Sequence, residues 1–158
     1  MTKAQIDTCA PRLRPATTSD VSAVEACVKA AYQSYLARIG KPPGPMLEDY
    51  AQVIEQDQVF VVELNNKIVG VLVLIVTNEG FLLENVAVEP SFHGKGIGKL
   101  LLQFAEAEAR LQGYRSIYLY THEKMTENQS LYSKSGYVEY DRRVEKGFSR
   151  VYMRKQLS

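Results

Sequence analysis

The sequence has no tryptophan, two cysteines (Cys9 and Cys27) and two histidines (His93 and His122). The cysteines show no CxxC spacing and the histidines do not accompany them. Neither a disulfide framework nor a zinc site is therefore expected, and no metal. A reducing cytoplasm is the expected location. Cys27 falls on an apolar helical stripe and reads as plain packing. No sign of charge dominates: 19 basic and 18 acidic residues leave a net charge of +1. That balance argues against a nucleic-acid partner or a polybasic membrane anchor. Long apolar runs are missing too. Ile68 to Val76 is the longest, and a bilayer-spanning helix needs about 20 residues. The N-terminal stretch to Arg12 has no apolar centre of the signal-peptide kind.

With 158 residues, the chain is the size of one domain, which buries roughly 70% of its unfolded surface without covalent staples. A single domain over 1–158 is expected, with 1–11 as a flexible tail. Arg12 to Ala16 reads as a short strand, and Thr17 to Asp20 as helix-capping residues. Val21, Val24, Val28, Ala31 and Tyr35 recur at steps of three and four, which predicts a helix to about Arg38, ended by Gly40. The proline-rich Lys41–Pro45 link follows, then a second helix from about Leu47 to Gln56. Gln58 to Leu64 and Lys67 to Val76 read as a hairpin turned at Asn65-Asn66. Phe81 to Val88 is a fourth strand. A long helix follows the glycines, burying Ile97, Leu100, Leu101, Phe104, Ala105 and Leu111. Ser116 to Thr121 is a strand, Thr126 to Lys134 a helix, and Tyr137 to Val144 with Phe148 to Met153 a closing hairpin. Hairpins first and crossovers later predict an α/β chain with a mixed sheet and helices on its faces.

The informative stretch is Val86 to Lys99, where a strand runs into Gly94, Gly96 and Gly98 and then into a helix. Unpaired N–H groups and the helix dipole at such a junction attract anions, and Lys95 and Lys99 add charge. A pyrophosphate is the natural occupant. A P-loop needs one more residue between its glycines and a hydroxyl after the lysine, where Leu100 stands. A dinucleotide turn needs GxGxxG and an acid at the next strand's end, where Tyr118, Leu119 and Tyr120 stand.

His93-Gly94-Lys95-Gly96-Ile97-Gly98 instead resembles the (Gln/Arg)-x-x-Gly-x-(Gly/Ala) signature of the GNAT superfamily of acetyl-CoA-dependent N-acetyltransferases. His93 departs from that signature's first position. Leu131 to Tyr137 is similar to the family's LY-x-x-x-GF stretch, and the order of elements agrees from Arg12 to Met153. The resemblance implies a central, mostly antiparallel sheet splayed between strands 4 and 5 and flanked by about four helices. It implies acetyl-CoA as acyl donor, with no metal.

By the same resemblance, the main chain of Val86 and Val88 holds the pantetheine arm, and His93 to Lys99 hold the pyrophosphate. A backbone N–H near Val86 is the oxyanion donor and Tyr132 the acid for the leaving thiolate. Met125 stands where many relatives carry a cofactor-binding Asn; Asn128 either replaces it or is a capping amide. Glu84 shares strand parity with Val86 and Val88 and is either the general base or a carboxylate paired with a cation. One acceptor wall is expected from Tyr32, Tyr35, Arg38 and the Pro42-Pro43 link, another from Tyr120 and Arg150. The acceptor would be an amine of a small molecule or a protein. A homodimer stands open beside a monomer. A non-catalytic acyl-CoA sensor on the same scaffold is the competing reading.

Overall fold

The computed structural model describes residues 10–158; the tail expected over 1–11 falls almost wholly outside them. Among the described residues seven strands form one sheet in the order β1-β2-β3-β4-β5-β7-β6. They are β1 (Arg12–Pro15), β2 (Gln58–Leu64), β3 (Lys67–Thr77), β4 (Gly80–Val88), β5 (Ser116–His122), β6 (Val138–Glu145) and β7 (Phe148–Gln156). Every neighbouring pair is antiparallel except β4 and β5. Among the described residues five α-helices flank the sheet, one more than expected: α1 (Val21–Tyr32), α2 (Tyr35–Ile39), α3 (Tyr50–Gln56), α4 (Ile97–Leu111) and α5 (Thr126–Lys134).

The extra helix comes from a break at Gln33-Ser34, which divides the helix expected to reach Arg38. Gly40, in the left-handed region, closes α2 by donating its N–H to the Leu36 carbonyl. The helix expected from Leu47 begins only at Tyr50. A 3-10 turn takes Gly44–Leu47, and the Asp49 side chain caps α3 by accepting from the Ala51 and Gln52 N–H groups. The β2–β3 turn has Asn65 and Asn66 at φ 52° and 64°, the left-handed pair that matches the twist of a two-residue hairpin.

Strand β3 is central and covered on both faces, as its unbroken apolar run requires. On one face Val69, Leu72 and Leu74 pack with Phe81, Leu83, Ile117 and the α4 residues Ile97, Leu101, Leu102, Ala105 and Ala109. On the other, Val71 and Val73 pack with Val24, Cys27 and Val28 of α1 and Tyr50 of α3. Burial pushes the Cys27 thiol up to about 12, as befits a packing residue. Gly70 allows α4 its close approach: a Cβ there would stand 3.0 Å from Ile97 Cγ2 and 3.2 Å from Leu101 Cδ1.

Leu111 does not join this core and is 79% exposed. The buried arc of α4 is centred on Leu101, Ala105 and Ala109, and at about 100° per residue Leu111 falls off its side. No helix among the described residues is long and apolar enough to cross a membrane.

Candidate active site

Strands β4 and β5 pair only through Phe81–Ile117, Leu82–Tyr118 and Leu83–Leu119. Beyond that point they diverge, and Glu84 and Tyr120 face each other at the mouth of the gap. The Tyr120 hydroxyl donates to the Glu84 carboxylate at 2.9 Å. The splay comes with a β-bulge. Val73 pairs with Asn85 and Leu74 with Leu83, so Glu84 has no partner opposite it. The extra residue corrects the expected parity. Leu83, Val86 and Val88 lie on the α4 face, and Ala87 lies on the α1 face. Glu84 is turned away from Val86 and Val88, toward Tyr120 and Tyr50.

Asn85, beside the bulge, is buried. Its Oδ1 accepts from the Tyr32 hydroxyl at 2.8 Å, and its Nδ2 donates to the Tyr50 hydroxyl at 3.1 Å. Tyr50 donates onward to the Pro45 carbonyl at 2.6 Å. The Tyr32 hydroxyl also reaches the Val86 carbonyl at 3.2 Å. Each side-chain group in this relay has a partner, and the relay ties α1, α3 and the Gly44–Leu47 turn to the bulge. Sequence reasoning missed Asn85 and Tyr50, although an amide beside Glu84 on a mostly apolar strand was a visible signal.

Two cavities meet at this point. One, of about 790 Å³, runs along Val86 and Val88 to His93, Gly94, Gly96, Ile97, Gly98 and Lys99. At its far end Gly94 and Gly96 take φ 78° and 83°, which other residues adopt at a cost. The first-turn N–H groups of the 15-residue α4 lack intrahelical acceptors and make an anion cradle. The His93 ring nitrogen Nε2 lies 3.2 Å from the Val88 carbonyl, so this side chain braces the turn. Lys99 lines the cradle; Lys95 does not.

The second cavity, of about 450 Å³, is lined by Glu84, Tyr120, Arg150, Glu48, His122, Phe148 and the Pro43–Leu47 turn, among others. Both cavities share Tyr32, Val86, Asn128 and Tyr132. Tyr132 is buried, and its hydroxyl makes no hydrogen bond among the described residues. Burial raises its pKa well above that of an ordinary phenol, with Tyr35 adding to the effect, so it is protonated at neutral pH. Burial likewise holds the Glu84 carboxyl above the usual carboxylate range; Tyr120's hydrogen bond opposes the rise and Glu48 adds to it. Met125 is buried, and the Asn128 Nδ2 points at its sulfur from 3.7 Å.

The expected acceptor wall is only partly assembled. Tyr32, Tyr120 and Arg150 line the second cavity, whereas Tyr35 lines the first. Arg38 lines neither, because Glu127 of α5 takes both its terminal nitrogens. That fork also holds the Glu127 carboxyl down to about 2. No group of three or more His, Cys, Asp or Glu among the described residues could hold a metal.

The family model described as acetyltransferase (GNAT) domain matches residues 55–139, which include the glycine turn and Tyr132. The chain belongs to the GNAT acetyltransferase family. Solved structures agree in fold. The PaiA N-acetyltransferase from Thermoplasma acidophilum, in complex with coenzyme A, is 18% identical with a TM-score of 0.78, covering 93% of this chain and 99% of that one. The ribosomal-protein-S18-alanine N-acetyltransferase from Escherichia coli is 19% identical with a TM-score of 0.75, covering 94% and 95%. An acetyltransferase of the GNAT family from Staphylococcus aureus Mu50 is 20% identical with a TM-score of 0.76, covering 94% and 100%. No curated protein sequence gives a significant match. In this acetyltransferase, then, the splay, the bulge and the glycine turn lie along one continuous path through the sheet.

Proposed function

We propose that the chain transfers the acetyl group of acetyl-CoA to an amine by direct attack, with donor and acceptor entering from the two cavities. The observation that carries this reading is the sharing of Tyr132 and Val86 by both cavities. The donor fits the larger one. The glycine turn offers main-chain N–H groups and Lys99 to a pyrophosphate, and the gap beside Val86 and Val88 suits an extended amide chain bonded as an added strand. The donor supplies a thioester carbonyl. A backbone N–H at the bulge, between Glu84 and Val86, donates to the carbonyl oxygen as charge develops there, an effect worth roughly 3 kcal/mol.

Glu84, directly or through water, takes the proton that the amine must lose. Tyr132 gives its proton to the departing thiolate. Asn128, at the junction of the cavities, is placed to contact the donor's amide arm in place of an Asn at Met125. Incubating the protein with acetyl-CoA and a panel of amines, with thiol detection, tests the reading. Amine-dependent thiol release is expected. Coenzyme A binding without release on any amine would overturn it.

A further inference from the structure

Arg150 is set into the wall of the acceptor-side cavity. It stands opposite His122 in the β5–β7 pairing, and its side chain is only 15% exposed. Its guanidinium carbon lies 4.2 Å above the Tyr120 ring. Nη1 donates to Glu145 at 3.1 Å. Nε and Nη2 donate to no acceptor among the described residues. Nη2 lies near Gly44, where a Cβ would come to van der Waals distance, 3.9 Å, and the guanidinium meets the cavity where Arg150 lines it. A guanidinium withdrawn from water with one edge unpaired is matched best by a planar oxyanion that closes the fork.

The cavity wall carries charge of both signs. Lys146 and Glu48 line it together with Arg150 and Glu84. Tyr120 spans the latter two, its ring under the guanidinium and its hydroxyl on Glu84. A cation-only acceptor such as a polyamine would set a charge against Arg150. A lysine side chain or a protein N-terminus carries no free carboxylate to meet it.

We propose that the acceptor is a free amino acid, its carboxylate held by Arg150 and its amine presented to Glu84. This deepens the acetyl-transfer reading and rests on it. The carboxylate takes no part in the chemistry: the N–C bond forms, the C–S bond breaks, and the amine's proton leaves toward Glu84. Arg150 thus fixes specificity.

The test measures thiol release from acetyl-CoA with the free L-amino acids, β-alanine and γ-aminobutyrate, each beside its carboxamide. At least one acid should exceed its amide in kcat/KM by about 30-fold or more, the lower range for losing one partner of a desolvated charge pair. Arg150→Gln should shrink that preference to within about threefold while coenzyme A affinity by calorimetry stays unchanged. Arg150→Lys, which keeps charge but not the fork, should fall between. Arg142→Gln removes an exposed cation paired with Glu139 on β6 and should alter neither value. Equal turnover of acids and amides, turnover of polyamines or peptide amines but of no acid, or an equal loss for acid and amide in Arg150→Gln would overturn the assignment. Coenzyme A binding with no acid turned over would do the same. Failure to bind coenzyme A would instead remove the transfer reading itself.

Discussion

Tyr132→Phe removes one oxygen at the junction of the two cavities. Stability and catalysis should part company in this variant. The hydroxyl has no hydrogen-bond partner among the described residues, and the ring, buried against Tyr137 at 6.0 Å between centroids, is retained. Deleting an unpartnered polar atom forfeits no hydrogen bond, so the change in stability should stay below about 0.5 kcal/mol. For a chain of this size that is less than about 2 °C in Tm. Coenzyme A affinity should also hold, because the phosphate cradle lies at the other end of the larger cavity. Turnover should not hold. Burial keeps the phenol protonated at neutral pH, so it can serve as donor to a thiolate, and general acid catalysis contributes typically ~10²–10⁴-fold. That loss equals roughly 3–5 kcal/mol of barrier and should fall on kcat, since the interaction strengthens only as sulfur gains charge. The assay is steady-state thiol release with an identified acceptor, together with a thermal melt and calorimetry on the same preparation. A kcat within about threefold of wild type, with chemistry rate-limiting, would refute the acid role.

Gly96 has φ 83°, and a Cβ added there would meet nothing within 4 Å, so Gly96→Asn tests the backbone and Gly96→Asp adds charge at nearly equal size. Calorimetry with coenzyme A should show the Asp variant at least about tenfold weaker than the Asn variant, since a like charge faces the phosphates; equal affinities would remove the pyrophosphate from this turn. Gly70→Ala should destabilise by about 1–3 kcal/mol through overpacking against Ile97 and Leu101, read from denaturant midpoints. It should also weaken coenzyme A binding, because Ile97 begins α4; a variant as stable as wild type would show that α4 shifts freely. A base at Glu84 would work only when ionised, and the folded pKa of Glu84 is raised by burial. Wild-type kcat/KM should therefore fall as pH drops through a value above the usual carboxylate range, and Glu84→Gln should lose both most of its rate and that acidic limb. An unchanged limb in the Gln variant would assign it to another group.

Much of this arrangement is legible along the chain because it is local. The glycine turn needs only Gly94 and Gly96 at positive φ and a helix behind them, and the hairpin at Asn65-Asn66 needs only two residues that tolerate the left-handed region. The parity of Glu84 is different. Alternation fixes a side chain's face only while the pairing is regular, and the bulge depends on β3 as much as on β4. Arg38 shows the same limit at longer range. Its partner Glu127 is 89 residues away, and nothing near Arg38 in sequence announces an ion pair that takes it out of the acceptor wall. Leu111 departs from expectation for a third reason: helical spacing gives a stripe, but the width and centre of the buried arc come from the sheet beneath it.

The bulge and the splay are best understood as one device. A bulge adds twist and bends its strand. Here it sits one residue past Leu83, the last β4 residue paired with β5. From that point the β5-facing edge of β4 carries main-chain donors and acceptors with no strand beside them, and such groups seek partners. An extended amide arm lying along Val86 and Val88 would supply those partners without any specific side chain. The same bend turns Glu84 out of the α4 face and into the second cavity, where Tyr120 meets its carboxylate. In the proposed transfer, one inserted residue would thereby prepare both a main-chain ledge for the donor and a carboxylate for the acceptor. Asn85, bonded to Tyr32 and Tyr50, holds the bend between them. Its buried amide makes geometric sense only if the position of the bulge, and not merely the packing of β4, is what the fold must keep.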